Sequence, residues 1–127
     1  MVGPEDITWR VRPDPMRVFE DIRRRVGLEL YNTNKQALRR LLCDYFNAVK
    51  CNGSTKTIAP IGCTSRGGKL LKVRLALPGE GKSGGLRLCV VAYCRSRSVS
   101  IAAAVSRRHD PALDELMASG EEADDDL

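Results

Sequence analysis

Aromatic side chains are scarce in this chain: two Phe, three Tyr and one Trp make up 5% of its 127 residues. A nucleic-acid interface built on stacked bases would rest on very few rings, so affinity for a polynucleotide would lean on phosphates and fall steeply with salt. Histidine is scarcer still, with His109 as the single copy, and the five cysteines (Cys43, Cys51, Cys63, Cys89 and Cys94) include no C-x-x-C pair. A zinc site needs several such ligands at fixed spacing, so neither a metal nor another cofactor is expected. No apolar run approaches about 18 residues, and no charged-then-apolar pattern opens the chain. It reads as cytoplasmic, with reduced thiols and no contact with membrane. Cys89 and Cys94 lie in apolar, strand-like surroundings, where a thiol serves as a small hydrophobe.

Cations are also absent from residues 110–127, and this absence reshapes the charge. The formal net charge is +5, from 21 Lys and Arg against 16 Asp and Glu. All 21 cations lie in residues 1–109 with only eight acids, an excess of 13. The length suits one domain with a modest core. Such a basic body points to a polyanionic partner, nucleic acid ahead of membrane, with a merely soluble basic surface as the plainer reading. The division is a domain over residues 1–118 and an acidic, disordered tail over 119–127.

Ile7, Trp9 and Val11 alternate with Thr8, Arg10 and Arg12, as in a half-buried strand. Asp14-Pro15 reads as an N-cap followed by proline at the first helical position, and Val18, Phe19, Ile22 and Val26 continue at helical spacing until Gly27. Thr33 with Gln36 forms a capping box for a second helix carrying Leu38, Leu41, Leu42, Tyr45, Phe46 and Val49 on one side, closed by Asn52-Gly53. Residues 54–68 read as irregular. Strands are expected at 69–77, 86–95 and 98–105, the last two joined by a hairpin, and Asp110-Pro111 opens a short helix with Leu113, Leu116 and Met117. The order is β-α-α-β-β-β-α: an α+β fold with a small, mostly antiparallel sheet and two N-terminal helices packed on one face.

Within this frame Leu71, Val73, Leu75 and Leu77 share one strand face, so Lys72 and Arg74 point to the other. A glycine-rich turn, Gly81-Lys82-Ser83-Gly84-Gly85, leads into Leu86-Arg87-Leu88. Lys69, Lys72, Arg74, Lys82 and Arg87 thus gather in one region, a phosphate-binding surface on a sheet. Gly81-Lys82-Ser83 is not a P-loop, because it leads into a strand and not a helix, and the first glycine is missing.

These residues resemble a known family. Leu71-Lys72-Val73-Arg74, a loop, and Gly81-Lys82-Ser83-Gly84-Gly85-Leu86-Arg87-Leu88 are similar to the central signature of the RelE/HigB-like toxins of bacterial type II toxin–antitoxin systems, in the RelE/ParE superfamily. The element order and the Gly67-Gly68 approach to the second strand are similar too. The resemblance spans residues 7–117, with a specific part of some 17 residues. It implies a translation-inhibiting, ribosome-dependent mRNA endonuclease (an mRNA interferase) whose partners are the ribosome, mRNA and a cognate antitoxin, in a toxin–antitoxin hetero-oligomer. Such enzymes drive an RNA 2′-hydroxyl against the adjacent phosphate. Lys72, Arg74 and Arg87 fall at the catalytic, phosphate-contacting cations, and Arg107 and Arg108 fall where a further arginine is often supplied. Lys69 and Lys82 join Arg107 and Arg108 as RNA-binding residues.

The chain departs from the family in having no tyrosine near its C-terminus. His109, with an ordinary pKa of about 6.5, suits the acid–base role, against the plainer reading of a surface residue before an N-cap. Tyr93 is a second candidate, against a packing role inside a strand. The acids at 121–126 either solubilise a loose end or lie over the cationic face as a phosphate mimic. Two other functions stay open: a ParE-type poison of DNA gyrase, and a non-catalytic nucleic-acid-binding or adaptor module on the same fold.

Overall fold

The structure, a computed structural model, describes residues 3–47, 57–75, 85–106 and 113–126. A 3-10 turn at Pro4–Asp6 precedes β1 (Thr8–Val11), α1 (Pro13–Val26), α2 (Leu28–Asn47), β2 (Ile58–Cys63), β3 (Lys69–Leu75), β4 (Leu86–Tyr93), β5 (Ser98–Ser106) and α3 (Leu113–Asp125). The strands form one sheet in the order β1-β5-β4-β3-β2. β2 to β5 make an antiparallel meander, and β1 returns beside β5 in parallel. The fold is therefore α+β with three helices and a mixed five-stranded sheet.

The sheet holds one strand more than the sequence suggests. β2 runs through residues that read as irregular, because Pro60 and Gly62 argue against a strand. Both sit at a register shift of an edge strand, where a missing donor costs the ladder least. The helix starts differ as well. α1 begins at Pro13, with Arg12 and not Asp14 as its N-cap, and Arg12 makes no side-chain cap bond. Gly27 ends α1 as expected, at φ 89. α2 resumes at once from Leu28, so Thr33 lies inside the helix. Its hydroxyl donates to the Glu29 carbonyl four residues back, in place of a capping box.

Period-two alternation divides the strands between two cores. Leu71, Val73 and Leu75 of β3, Leu88 and Val90 of β4 and Ile101 of β5 pack against Phe19, Ile22, Leu38 and Leu42 of α1 and α2. On the other face Leu70, Cys89, Val91, Tyr93 and Ala102 meet Leu116 and Ala123 of α3. The two N-terminal helices share a face, and α3 covers part of the opposite one.

α3 also absorbs most of the segment expected to be a disordered tail. It runs along β4: the Cys89 Sγ donates to the Leu116 carbonyl at 3.2 Å, and the Tyr93 hydroxyl donates to Asp124. Eight helical residues rise about 12 Å and four strand residues about 13 Å, so the two contacts stay in step. Leu116, Gly120, Ala123 and Asp124 form the buried stripe. A Cβ on Gly120 would run into the Leu70 side chain, so glycine here lets the helix lie close on the sheet. Acidic composition suggested solvation; the i, i+4, i+8 spacing of this stripe prevails over it.

The thiols also depart from expectation. Cys43 and Cys89 are buried and free, and Cys63 is exposed and free. Burial pushes the Cys89 thiol up to about 12, which suits the small hydrophobe expected there. Cys94, expected to be the same, is instead disulfide-bonded, to a partner outside the described residues. Five cysteines less one pair leaves three. Thiol titration of the denatured, unreduced protein is expected to give three reactive groups per chain, rising to five after reduction; five before reduction would rule the bond out.

Candidate nucleic-acid interface

The β3–β4 register builds a cationic surface. Arg74 stands directly opposite Arg87, and Lys72 opposite Cys89 with Ala59 of β2 on its other side. Leu71, Val73, Leu75, Leu86 and Leu88 occupy the α1–α2 core, so Lys72, Arg74 and Arg87 share the face on which α3 lies. Arg74 is exposed, Lys72 and Arg87 are half-buried, and the Nε and Nη1 atoms of Arg87 are shielded from solvent. Two arginines at a directly paired position lie about 5 Å apart at Cβ. The surface therefore carries two arginines at one ladder position and a lysine two residues along the same strand face.

α3 accentuates this polarity. Its first turns lie over β4 near Cys89, the residue opposite Lys72, and this is the positive end of the helix dipole. Its acidic end lies at the far side of the sheet, where Glu121, Glu122, Asp124 and Asp126 are engaged locally. Arg12 donates to Glu122 at 2.9 Å and to Asp126 at 3.0 Å. Glu121 accepts from the Ser65 backbone at 3.1 Å and from the Ser65 hydroxyl at 3.0 Å. The acids at 121–126 therefore do not lie over Lys72, Arg74 and Arg87, and the phosphate-mimic reading is corrected.

Asp124 is the centre of that far end. It is fully buried and accepts from the Thr64 hydroxyl at 2.8 Å, the Arg66 backbone N–H at 3.0 Å and the Tyr93 hydroxyl. The Thr64 hydroxyl in turn accepts from the Gly68 N–H at 2.8 Å, so the β2–β3 turn is strung onto the helix. Burial raises the Asp124 carboxyl, but the bonds from Tyr93, Thr64 and the Arg66 backbone prevail and hold its pKa below the ordinary value. Burial first, then the bond to Asp124 and that group's charge, pushes the Tyr93 phenol well above its ordinary range. Tyr93 is thus a structural donor. It lies six residues from Arg87 along β4, about 20 Å, which removes it as the acid–base group of the cationic surface.

Lys69 is the other displaced candidate. It shares the parity of Leu71 and Val73, at the opposite end of β3 from Arg74, and lines a shallow groove with Arg66, Tyr93 and Arg95. Lys82, Arg107, Arg108 and His109 lie outside the described residues. The chain enters both of their segments from the cationic end of the sheet, since Leu75, Leu86 and Ser106 are register partners there. Among the described residues no group of three His, Cys, Asp or Glu could hold a metal, and no helix is long and apolar enough to cross a membrane.

No family model, no curated protein and no solved structure matches the chain. The resemblance to RelE/HigB-like toxins is carried by the residues from Leu71 to Leu88, and the observed element order holds one strand more than it implies.

Replacing Asp124 with Ala leaves three donors without their acceptor and is expected to destabilise the fold by about 3 kcal/mol. Because the folded pKa of Asp124 is lowered, its contribution is whole above the unfolded value of about 3.9 and is lost as pH falls through the folded value. The Tyr93 contribution is whole below about pH 10 and is lost as pH rises toward its raised folded value. Urea unfolding of wild type and Asp124→Asn across pH should show their difference shrinking below about pH 4. A constant difference would contradict the assignment.

Proposed function

We propose that this chain is a RelE/HigB-like toxin, a ribosome-dependent mRNA endonuclease of the cytoplasm restrained by a small antitoxin bound beside or over its cationic face. The observation that carries the reading is the Arg74–Arg87 pair. Two cations share one position of the ladder, where a phosphate backbone gains from both at once. Lys72 on the same face adds a third cation.

The chemistry assigned to this face is transesterification. The RNA 2′-oxygen attacks the neighbouring phosphorus, the 5′-oxygen leaves, and a 2′,3′-cyclic phosphate remains. Charge accumulates on the non-bridging oxygens of the pentacoordinate state, where Arg74, Arg87 and Lys72 offset it. In the proposal His109 takes the proton from the 2′-hydroxyl and returns one to the leaving oxygen. Arg107, Arg108 and Lys82 hold the RNA backbone. Lys69, at the far end of β3, is left out of the reacting centre.

A second reading is favoured by a specific observation, the Cys94 disulfide. Disulfides persist in oxidising compartments, where a ribosome-directed nuclease has no substrate. There the basic face would be a non-catalytic binding module for a polyanion. A gyrase poison needs neither the paired arginines nor an acid–base group, and no observation favours it.

Induced expression in a bacterial host, followed by growth and by primer extension across a translated message, separates these readings. Arrest with codon-phased cuts is expected, and Arg87→Ala should abolish both while keeping its circular dichroism spectrum. Arrest with intact messages would point to gyrase, and no arrest to the binding module. Independently, three phosphate contacts predict that log K for single-stranded RNA falls with log salt at a slope of about −2, and each Ala substitution at Lys72, Arg74 or Arg87 should remove about 0.7 from it. A slope unchanged by all three would place the RNA elsewhere.

A further inference from the structure

Behind the cationic surface, on the other face of the sheet, α1, α2, β1 and the ends of β3 and β4 enclose a cavity of about 260 Å³. Its walls are mainly apolar, with Phe19, Ile22 and Leu38 from the helices and Leu75 and Leu86 from the strands. One buried amide side chain breaks this lining. Asn34 stands on the same α2 stripe as Leu38 and Leu42, is only 5% exposed, and its Nδ2 has no hydrogen-bond partner. A buried amide N–H without an acceptor costs about 1–3 kcal/mol, and native proteins keep few of them. Nothing in the fold needs Asn here, since a leucine would continue the stripe. A ligand that brings an acceptor oxygen into the cavity accounts for it.

The surrounding charges indicate what that oxygen belongs to. Lys35 and Arg39, one helical turn apart on α2, also line the cavity, and among the described residues no Asp or Glu does. Arg39 is held with its guanidinium carbon 5.8 Å from the centroid of Trp9, which forms another part of the wall. An amide donor and two cations on the α2 wall of an apolar space match a carboxylate with an apolar body. Apolar cavities somewhat smaller than this one take up benzene, and drug-sized pockets begin slightly above it, which sets the ligand at about ten to fifteen non-hydrogen atoms.

We infer that this cavity binds an amphipathic monocarboxylate, its carboxylate accepting from Asn34 Nδ2 beside Lys35 and Arg39, and its apolar body lying between Leu38 and the Leu75–Leu86 pair. The site is separate from the phosphate surface and does not depend on the toxin reading. Leu75 and Leu86 are, however, the chain neighbours of Arg74 and Arg87, so the ligand would lie directly behind the cationic pair.

Trp9 is the single tryptophan and lines the cavity, so its fluorescence reports occupancy. Decanoate and 1-naphthoate serve as probes, with 1-decanol as the uncharged control. A saturable change with a half-point below about 1 mM is expected for both acids, and binding of the alcohol at least several-fold weaker. Asn34→Leu should weaken decanoate binding about tenfold or more while raising the thermal midpoint of the free protein, which shows that the variant folds. Arg39→Gln should weaken decanoate and leave decanol unchanged. No saturable response from the wild type, equal binding of acid and alcohol, or full affinity in a folded Asn34→Leu variant would each overturn the assignment.

Discussion

One buried carboxylate decides where everything on the α3 face lies. Asp124 has no exposure to solvent, and the hydroxyls of Thr64 and Tyr93 with the Arg66 backbone satisfy it. A buried charge with this many donors is costly to misplace, because any other helix position strands both the charge and its donors. With the far end of α3 pinned beside Tyr93, its first turn comes over Cys89. Lys72, Arg74 and Arg87 belong to the remainder of that face. The acidic end of the helix and the cations of β3 and β4 therefore lie toward opposite ends of that face.

The anchor also separates charge across the molecule. An acidic helix C-terminus opposes its own dipole, and here Arg12 and the backbone amides of Ser65 and Arg66 offset that arrangement. Arg12 ties both layers together, since its backbone caps α1 while its guanidinium holds α3. The other basic groups are spread differently. Arg23, Arg24 and Arg25 occupy the last turn of α1, where the helix dipole favours cations, and Arg25 also pairs with Asp21 at 3.7 Å. Only the β3–β4 pair opposes like charges across a ladder in the described sheet.

Much of this was legible in the sequence, for physical reasons that can be named. Alternation in β3 and β4 placed Lys72, Arg74 and Arg87 on one face, because a strand has only two sides and the leucines claimed one. The same rule, followed one step further, would have moved Lys69 to the other face with Leu71. β2 was hidden by Pro60 and Gly62, residues that an edge strand tolerates and a central one does not. The acidic end of α3 was read by composition, which concealed the buried spacing of Leu116, Gly120 and Asp124. Asn34 lay in plain view at four residues before Leu38, yet a polar residue in an apolar stripe has no meaning until the cavity beside it is seen. The parallel pairing of β1 with β5 has no local signature at all, since it joins residues some ninety positions apart.

The central claim is that a polyanion is bound by the cationic end of β3 and β4 and not by the helical arginines. Titration of the isotope-labelled protein with a short single-stranded oligonucleotide, followed residue by residue by amide NMR shifts, tests it most directly. The account predicts shifts concentrated at residues 72–75 and 86–88, suppressed by salt and lost in Arg87→Ala. Shifts centred on Arg23–25 or on Arg39 and Arg40, with β3 and β4 silent, would contradict it.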